Sequence, residues 1–141
     1  MRTSKHSQSR RVSVTSCEEC TVYGFEELLR SAVENVARNG VRFTREGTAV
    51  DVSIRRERDR AVVRVRDRGP GVPETMLSEI FLPFIRGHTT DGNRNDGSGL
   101  GLAIAHRAVV ANGGTMRAMN AADGGLILAI EVPCGPLDGR P

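Results

Sequence analysis

The stretch Asp96-Gly97-Ser98-Gly99-Leu100-Gly101-Leu102-Ala103-Ile104-Ala105-His106-Arg107 decides how the rest of the chain is read. Three glycines at alternate positions run directly into apolar residues at helical spacing: Leu100, Ala103, Ile104 and Ala108. Glycine, lacking a Cβ, lets backbone approach a ligand closely. A helix that begins there turns unpaired N–H groups and the positive end of its dipole outward, and that combination suits phosphate. Two common phosphate-binding signatures are absent. A P-loop needs Gly-Lys-Ser/Thr, and the only lysine is Lys5. A Rossmann turn needs G-x-G-x-x-G directly after a strand; here position 102 is leucine, and His88 to Asn95 is polar and loop-like.

At 141 residues and 38% hydrophobic content, the chain is long enough for one domain with its own core. No apolar run approaches the ~18 residues of a membrane helix, and the N-terminus lacks an apolar signal core. The expectation is a soluble, cytoplasmic chain without membrane contact. The formal charge of +3 sits partly in the tail, at Arg2, Lys5, Arg10 and Arg11. Acids are interspersed throughout and aromatics are 4%, so no basic helix or stacking platform emerges, which argues against direct nucleic-acid binding. Cys17 and Cys20 form one CxxC and Cys134 stands apart. A structural zinc site needs four ligands, so ordinary reduced cysteines are expected.

From the N-terminus, residues 1–10 lack apolar periodicity and read as a disordered tail. Arg11 to Val14 alternates like a short strand, with Cys20 to Tyr23 as its hairpin partner across Ser16 to Glu19. Phe25 to Gly40 reads as a helix with Leu28, Leu29, Ala32, Val33 and Val36 as its buried stripe. Asn35 and Asn39, four apart, share another face of it. Amides there are costly if buried and unpaired, and unremarkable if solvated. Thr48 to Arg55, with Val50, Val52 and Ile54 inward, forms a hairpin with Ala61 to Arg66 across Glu57 to Arg60.

That second strand runs into Asp67-Arg68-Gly69-Pro70-Gly71-Val72-Pro73. An ionised carboxylate only accepts hydrogen bonds, so Asp67 suits an amino group such as that of adenine; a plain Gly-Pro turn with a solvated Asp remains the alternative. Pro73 suits the first turn of a short helix, Glu74 to Ile80, which ends at Phe81-Leu82-Pro83-Phe84. Arg86 to Ser98 is polar and without periodicity, as in a lid or binding loop. A helix from Gly99 to Asn112 follows, closed by Asn112-Gly113-Gly114. Thr115 to Asn120 and Leu126 to Val132 form a final strand pair, and the tail beyond Pro133 reads as unstructured.

Taken in order, these features resemble the ATP-binding catalytic domain of sensor histidine kinases, within the superfamily shared with gyrase, Hsp90 and MutL. Asn35 to Thr44 (NVARNGVRFT) is similar to the N box, Asp67 to Gly71 (DRGPG) to the first glycine box, Phe81 to Phe84 to the F box and Gly97 to Gly101 (GSGLG) to the second glycine box. The resemblance covers residues 11–133, flanked by tails 1–10 and 134–141. It implies an α/β (α+β) two-layer sandwich: a mixed, mostly antiparallel sheet covered on one face by helices, with a flexible ATP lid.

The resemblance also implies roles. Asn39 would offer its amide oxygen to Mg²⁺, with Asn35 beside the phosphates and metal water and Arg42 approaching the phosphates. Phe43 would pack against adenine and Asp67 would accept its amino hydrogen, with Gly69 and Gly71 letting the base lie close. Gly97, Gly99, Leu100, Gly101 and Leu102 would hold the triphosphate by backbone N–H groups. Val72, Phe84 and Ser98 complete the nucleotide site. Hydrolases of the superfamily carry a glutamate four positions before the metal asparagine. Here that position is Asn35, which cannot act as a base, and the neighbouring Glu34 is about 100° away around the helix. Transfer to a protein is therefore favoured over hydrolysis.

Two departures stand out. His6, His88 and His106 do not fit the family's phosphoacceptor pattern, and Leu126 occupies a position where the family commonly has threonine. The implied function is that of a histidine-kinase catalytic domain, using ATP and Mg²⁺. Its expected partners are a separate or missing histidine-bearing dimerisation domain and a response regulator, and the chain itself is expected to be monomeric. An anti-sigma-type serine kinase and a catalytically silent nucleotide-binding module are the alternatives.

Overall fold

The computed structural model describes residues 10–83 and 100–135. Its elements in order are β1 (Arg10–Cys17), α1 (Glu26–Phe43), β2 (Thr48–Glu57), β3 (Arg60–Arg66), a single 3₁₀ turn (Glu74–Met76), α2 (Gly101–Ala111), β4 (Thr115–Asn120) and β5 (Leu126–Pro133). The five strands form one sheet in the order β1-β2-β3-β5-β4. Only the β1–β2 pair is parallel; the others are antiparallel. Among the described residues the fold is thus a mixed, mostly antiparallel sheet with two helices packed on it, as expected.

Period-two alternation explains the hairpins. Val52 pairs with Val65, which pairs in turn with Leu128, and Ile54, Val63 and Ile130 make the next row. These rows face α1 and α2, whose Ala32, Val36, Ala105 and Val109 have no exposed surface. Their burial is the main source of stability, at roughly 25 cal/mol per Å² of apolar surface removed from water.

Four boundaries differ from expectation. The strand at Arg10–Cys17 has no hairpin partner in Cys20–Tyr23; it runs parallel to β2, with Val12 beside Val50 and Val14 beside Val52. Such a pairing joins residues 38 apart and leaves no local sequence signal. The segment after it instead turns toward the other end of the chain, where the Gly135 N–H donates to the Thr21 carbonyl at 2.7 Å. Second, α1 continues through Gly40 to Phe43. Gly40 lies against the sheet, where a Cβ would stand 3.0 Å from Val50 Cγ1, so this glycine serves helix–sheet packing and not helix termination. Of the expected stripe, Ala32 and Val36 are buried, together with Gly40, and Leu29 and Val33 pack against the core, whereas Leu28 is 42% exposed.

Third, the expected helix over Glu74 to Ile80 is one 3₁₀ turn followed by further turns. Fourth, α2 starts at Gly101, two residues later than expected. Asn112 closes α2 and also governs the start of α1: its Nδ2 donates to the Ala108 carbonyl at 2.8 Å, and its Oδ1 accepts the Phe25 N–H at 2.7 Å. The tails at 1–9 and 136–141, the expected lid at Arg86 to Ser98, and Phe84, Gly97, Ser98 and Gly99 lie outside the described residues.

Candidate functional site

The site is built at the end of the sheet where β3 stops and β5 begins. Asp67 follows directly on β3 and is 4% exposed. Its N–H donates to the Leu126 carbonyl at 3.0 Å. Its carboxylate Oδ1 accepts the Leu126 N–H at 3.2 Å and the Gly69 N–H at 2.9 Å. Oδ2 receives no hydrogen bond among the described residues. Burial pushes the Asp67 carboxyl above its ordinary value of 3.8, against the lowering effect of the Gly69 and Leu126 N–H groups and of the Arg66 charge. Desolvation is the dominant cause.

The loop after Asp67 is braced from three sides. Gly69 presses on the end of α1, where a Cβ would meet the Phe43 carbonyl oxygen at 2.2 Å. Alongside it the Arg68 N–H donates to Thr44 Oγ1 at 2.9 Å, and the Arg45 N–H donates to the Arg68 carbonyl at 3.2 Å. Arg68 itself reaches away to β2, pairing with Asp51 at 2.8 Å and donating to the Ala49 carbonyl at 2.9 Å. From the far side Asn120 acts like a short strand: its Oδ1 accepts the Val72 N–H at 2.9 Å, and its Nδ2 donates to the Val72 carbonyl at 2.6 Å. Gly71 sits at φ +77°, and a Cβ there would lie 2.7 Å from Asn120 Oδ1. From below, Gly125 at φ +100° packs against the Asp67 backbone, so that a Cβ added to it would fall 2.0 Å from the Asp67 carbonyl oxygen.

The helix α1 leads toward this loop. Asn35 Oδ1 accepts from Arg38 Nη1 at 3.1 Å. Asn39, one turn on, has an amide nitrogen sealed from water with no hydrogen-bond partner among the described residues. A buried donor left unmade costs about 1–3 kcal/mol, so the fold keeps this amide at a real expense. Arg42 lies over the Phe43 ring, 6.0 Å from its centroid. At α2, the first turn has no side-chain cap, and a Cβ on Gly101 would meet nothing within 4 Å among the described residues. Leu102, by contrast, is 9% exposed and belongs to the core. His106 stacks on Phe81, with ring centroids 5.4 Å apart and planes 16° apart.

The structure therefore brings Asp67, Gly69, Gly71 and Val72 together with Phe43, and places Asn35, Asn39 and Arg42 on the helix that ends there. Three participants take roles that the sequence alone does not assign. Thr44, 1% exposed, is legible only as the last residue of the N-box-like run. Asn120 reads locally as an ordinary residue before a turn. Leu126 departs from the family at its side chain, yet that side chain is core (3% exposed) and its backbone does the work on Asp67.

Comparison with known proteins identifies the family of this chain. The sensor protein PfeS of Pseudomonas aeruginosa is 41% identical over 115 residues, 82% of this chain and 25% of that protein. The sensor histidine kinase CpxA of Escherichia coli is 36% identical over 79% of this chain and 24% of its own length. The chain thus spans about a quarter of the length of these curated relatives. Among solved structures, the mycobacterial sensor histidine kinase MprB superposes with a TM-score of 0.78 at 28% identity, covering 91% of this chain and 84% of that one. Residues 24–136 match the family described as histidine kinase-, DNA gyrase B- and HSP90-like ATPases, and the chain belongs to that family.

Proposed function

We propose that residues 11–133 form the catalytic ATP-binding domain of a two-component sensor histidine kinase. In this reading the domain binds ATP with Mg²⁺ and transfers the γ-phosphoryl group to a histidine on a dimerisation domain, from which a response regulator receives it. The observation that carries the reading is the buried Asp67 carboxylate. Its Oδ1 is committed to two backbone N–H groups, while Oδ2 keeps its acceptor capacity for an amino group such as that at adenine C6. Gly69, Gly71 and Val72, held by Thr44 and Asn120, form the ledge against which the base would lie, with Phe43 beside it.

Asn39 fits the metal role. Its amide nitrogen has no internal partner among the described residues, and its oxygen is a hard donor of the kind Mg²⁺ takes alongside phosphate oxygens and waters. When bound, Mg²⁺ would neutralise charge on the transferring phosphoryl group. The chain's own contribution is positioning. Arg42 would set the phosphates by charge, the N–H groups at the start of α2 would receive them, and Gly101 would admit their close approach. Phe84, Gly97, Ser98 and Gly99 are assigned to the same site from their motifs alone. Asn35 cannot deprotonate water and is already held by Arg38, which favours transfer over hydrolysis.

The test is calorimetric titration with ATP and Mg²⁺, followed by phosphotransfer to histidine-bearing dimerisation domains. Binding that weakens in Asn39→Ala and Asp67→Asn, together with an acid-labile phosphoprotein, supports the reading. Unchanged affinity in both variants overturns the site, and an acid-stable phosphoserine product overturns the histidine assignment. Asn35→Glu is expected to raise ATP hydrolysis.

A further inference from the structure

At the opposite end of the sheet lies a cluster that the nucleotide site does not use. Cys134 directly follows β5, and Arg56 Nη1 donates both to its Sγ at 3.0 Å and to the Gly135 carbonyl at 2.7 Å. The Gly135 N–H holds the Thr21 carbonyl at 2.7 Å. Tyr23 lies over Gly135 so closely that a Cβ there would stand 2.5 Å from the ring. Cys20-Thr21-Val22-Tyr23 is thereby laid alongside Cys134-Gly135, and Cys20 and Cys134 pack against the same core. Burial, then the charge of Cys134, push the Cys20 thiol up, against the lowering effect of Arg56. Both are free and partly accessible, and Cys17 is exposed at the end of β1.

We propose that Cys20 and Cys134, and not the CxxC pair Cys17 and Cys20, form a dithiol that closes to an intramolecular disulfide by exchange with small-molecule disulfides. Cys134 is the entry sulfur, because its Sγ is held and oriented by the Arg56 guanidinium. Its thiolate attacks one sulfur of the oxidised reagent, forming a mixed disulfide and expelling one thiolate. Cys20, deprotonated to solvent, then attacks the Cys134 sulfur and expels the second thiolate. The protein loses two hydrogens, and one disulfide reagent is reduced to two thiols. The bond would clasp the entry to α1 to the end of β5, far along the sheet from Asp67.

The experiment treats the full chain and Cys17→Ser with oxidised glutathione at neutral pH, followed by non-reducing peptide mapping. The expected product in both is a Cys20–Cys134 link within one chain. Cys20→Ser should stop at a glutathione adduct on Cys134. Arg56→Gln should slow reaction at Cys134 about threefold or more, while glutathionylation of Cys17 proceeds as before. A Cys17–Cys20 link, separate adducts on Cys20 and Cys134 that never close, links only between chains, or no reaction at either residue would each overturn the proposal.

Discussion

The two glycine-bearing segments of this domain use the same residue for opposite reasons. In Asp67 to Val72, glycine is demanded by the protein: a Cβ on Gly69 would strike the Phe43 carbonyl, one on Gly71 the Asn120 side chain, and one on Gly125 below them the Asp67 carbonyl. At the start of α2, Gly101 touches nothing among the described residues. Packing accounts for the first set, whereas among the described residues no neighbour requires the glycine at 101. In the proposed function, a glycine at a helix N-terminus without a side-chain cap would admit the close approach of phosphate. The first segment is braced by the protein itself, whereas the second would be shaped, on the proposed function, by the phosphates it receives.

Substitution tests that contrast, beginning with the largest effect. Gly69→Ala or Gly125→Ala would drive a Cβ into backbone oxygen, and Gly125 also sits at positive φ; each should cost about 3 kcal/mol or more. Chemical denaturation would measure this, and near-native stability in both would remove the distinction between the two segments.

Asp67→Asn comes next. With its oxygen kept on the Gly69 and Leu126 N–H groups, its NH₂ would replace Oδ2 and face the adenine amino group donor to donor. ATP affinity should fall about 10- to 100-fold, corresponding to about 1.4–2.8 kcal/mol lost when a charged acceptor becomes a donor. The pH dependence has a definite sign. Because burial raises the folded-state value above 3.8, the carboxyl's contribution to stability is fully present below 3.8 and is lost as pH rises through the folded value. The stability difference between wild type and Asp67→Asn, followed by denaturation from acid to neutral pH, should therefore shift against the wild type. ATP binding should run the other way and weaken as pH falls through that same folded value.

Asn120→Ala removes both hydrogen bonds to Val72 and should cost about 2 kcal/mol, read as a lower denaturation midpoint. If the ledge supports the base, adenine-over-guanine selectivity should decline with it. The mildest change is Gly101→Ala. Stability should stay level or rise by up to ~1 kcal/mol, since alanine is the better helix former, while ATP affinity drops about tenfold from lost close approach. Thermal melts and titration on one preparation would show the split. Equal ATP binding by Gly101→Ala would mean that its open surroundings have no functional counterpart.

Much of the candidate site is legible in the chain because its residues cluster in short runs. Asp67, Gly69 and Gly71 lie within five positions, and Asn35, Asn39 and Arg42 within eight. The β2–β3 and β4–β5 hairpins are equally legible, since alternation and a short turn are local properties. Sequence reading fails where a local cue has a distant cause. Gly40 looks like a stop signal, but its missing Cβ accommodates Val50. Val12 and Val14 look like half of a hairpin, but their partners are Val50 and Val52.

The sequence by itself determined the period of each strand, the helical faces, the order of the motifs and the chemistry each could perform, because these depend on residues a few positions apart. Only the tertiary structure decided that β1 runs parallel to β2 and that Asn112 joins the end of α2 to the start of α1. It also decided that Asn120 holds Val72 across 48 residues and that Cys134 lies beside the Cys20 segment. Those contacts exist only after the sheet has closed, when side chains remote in the chain compete for the same few backbone donors and acceptors.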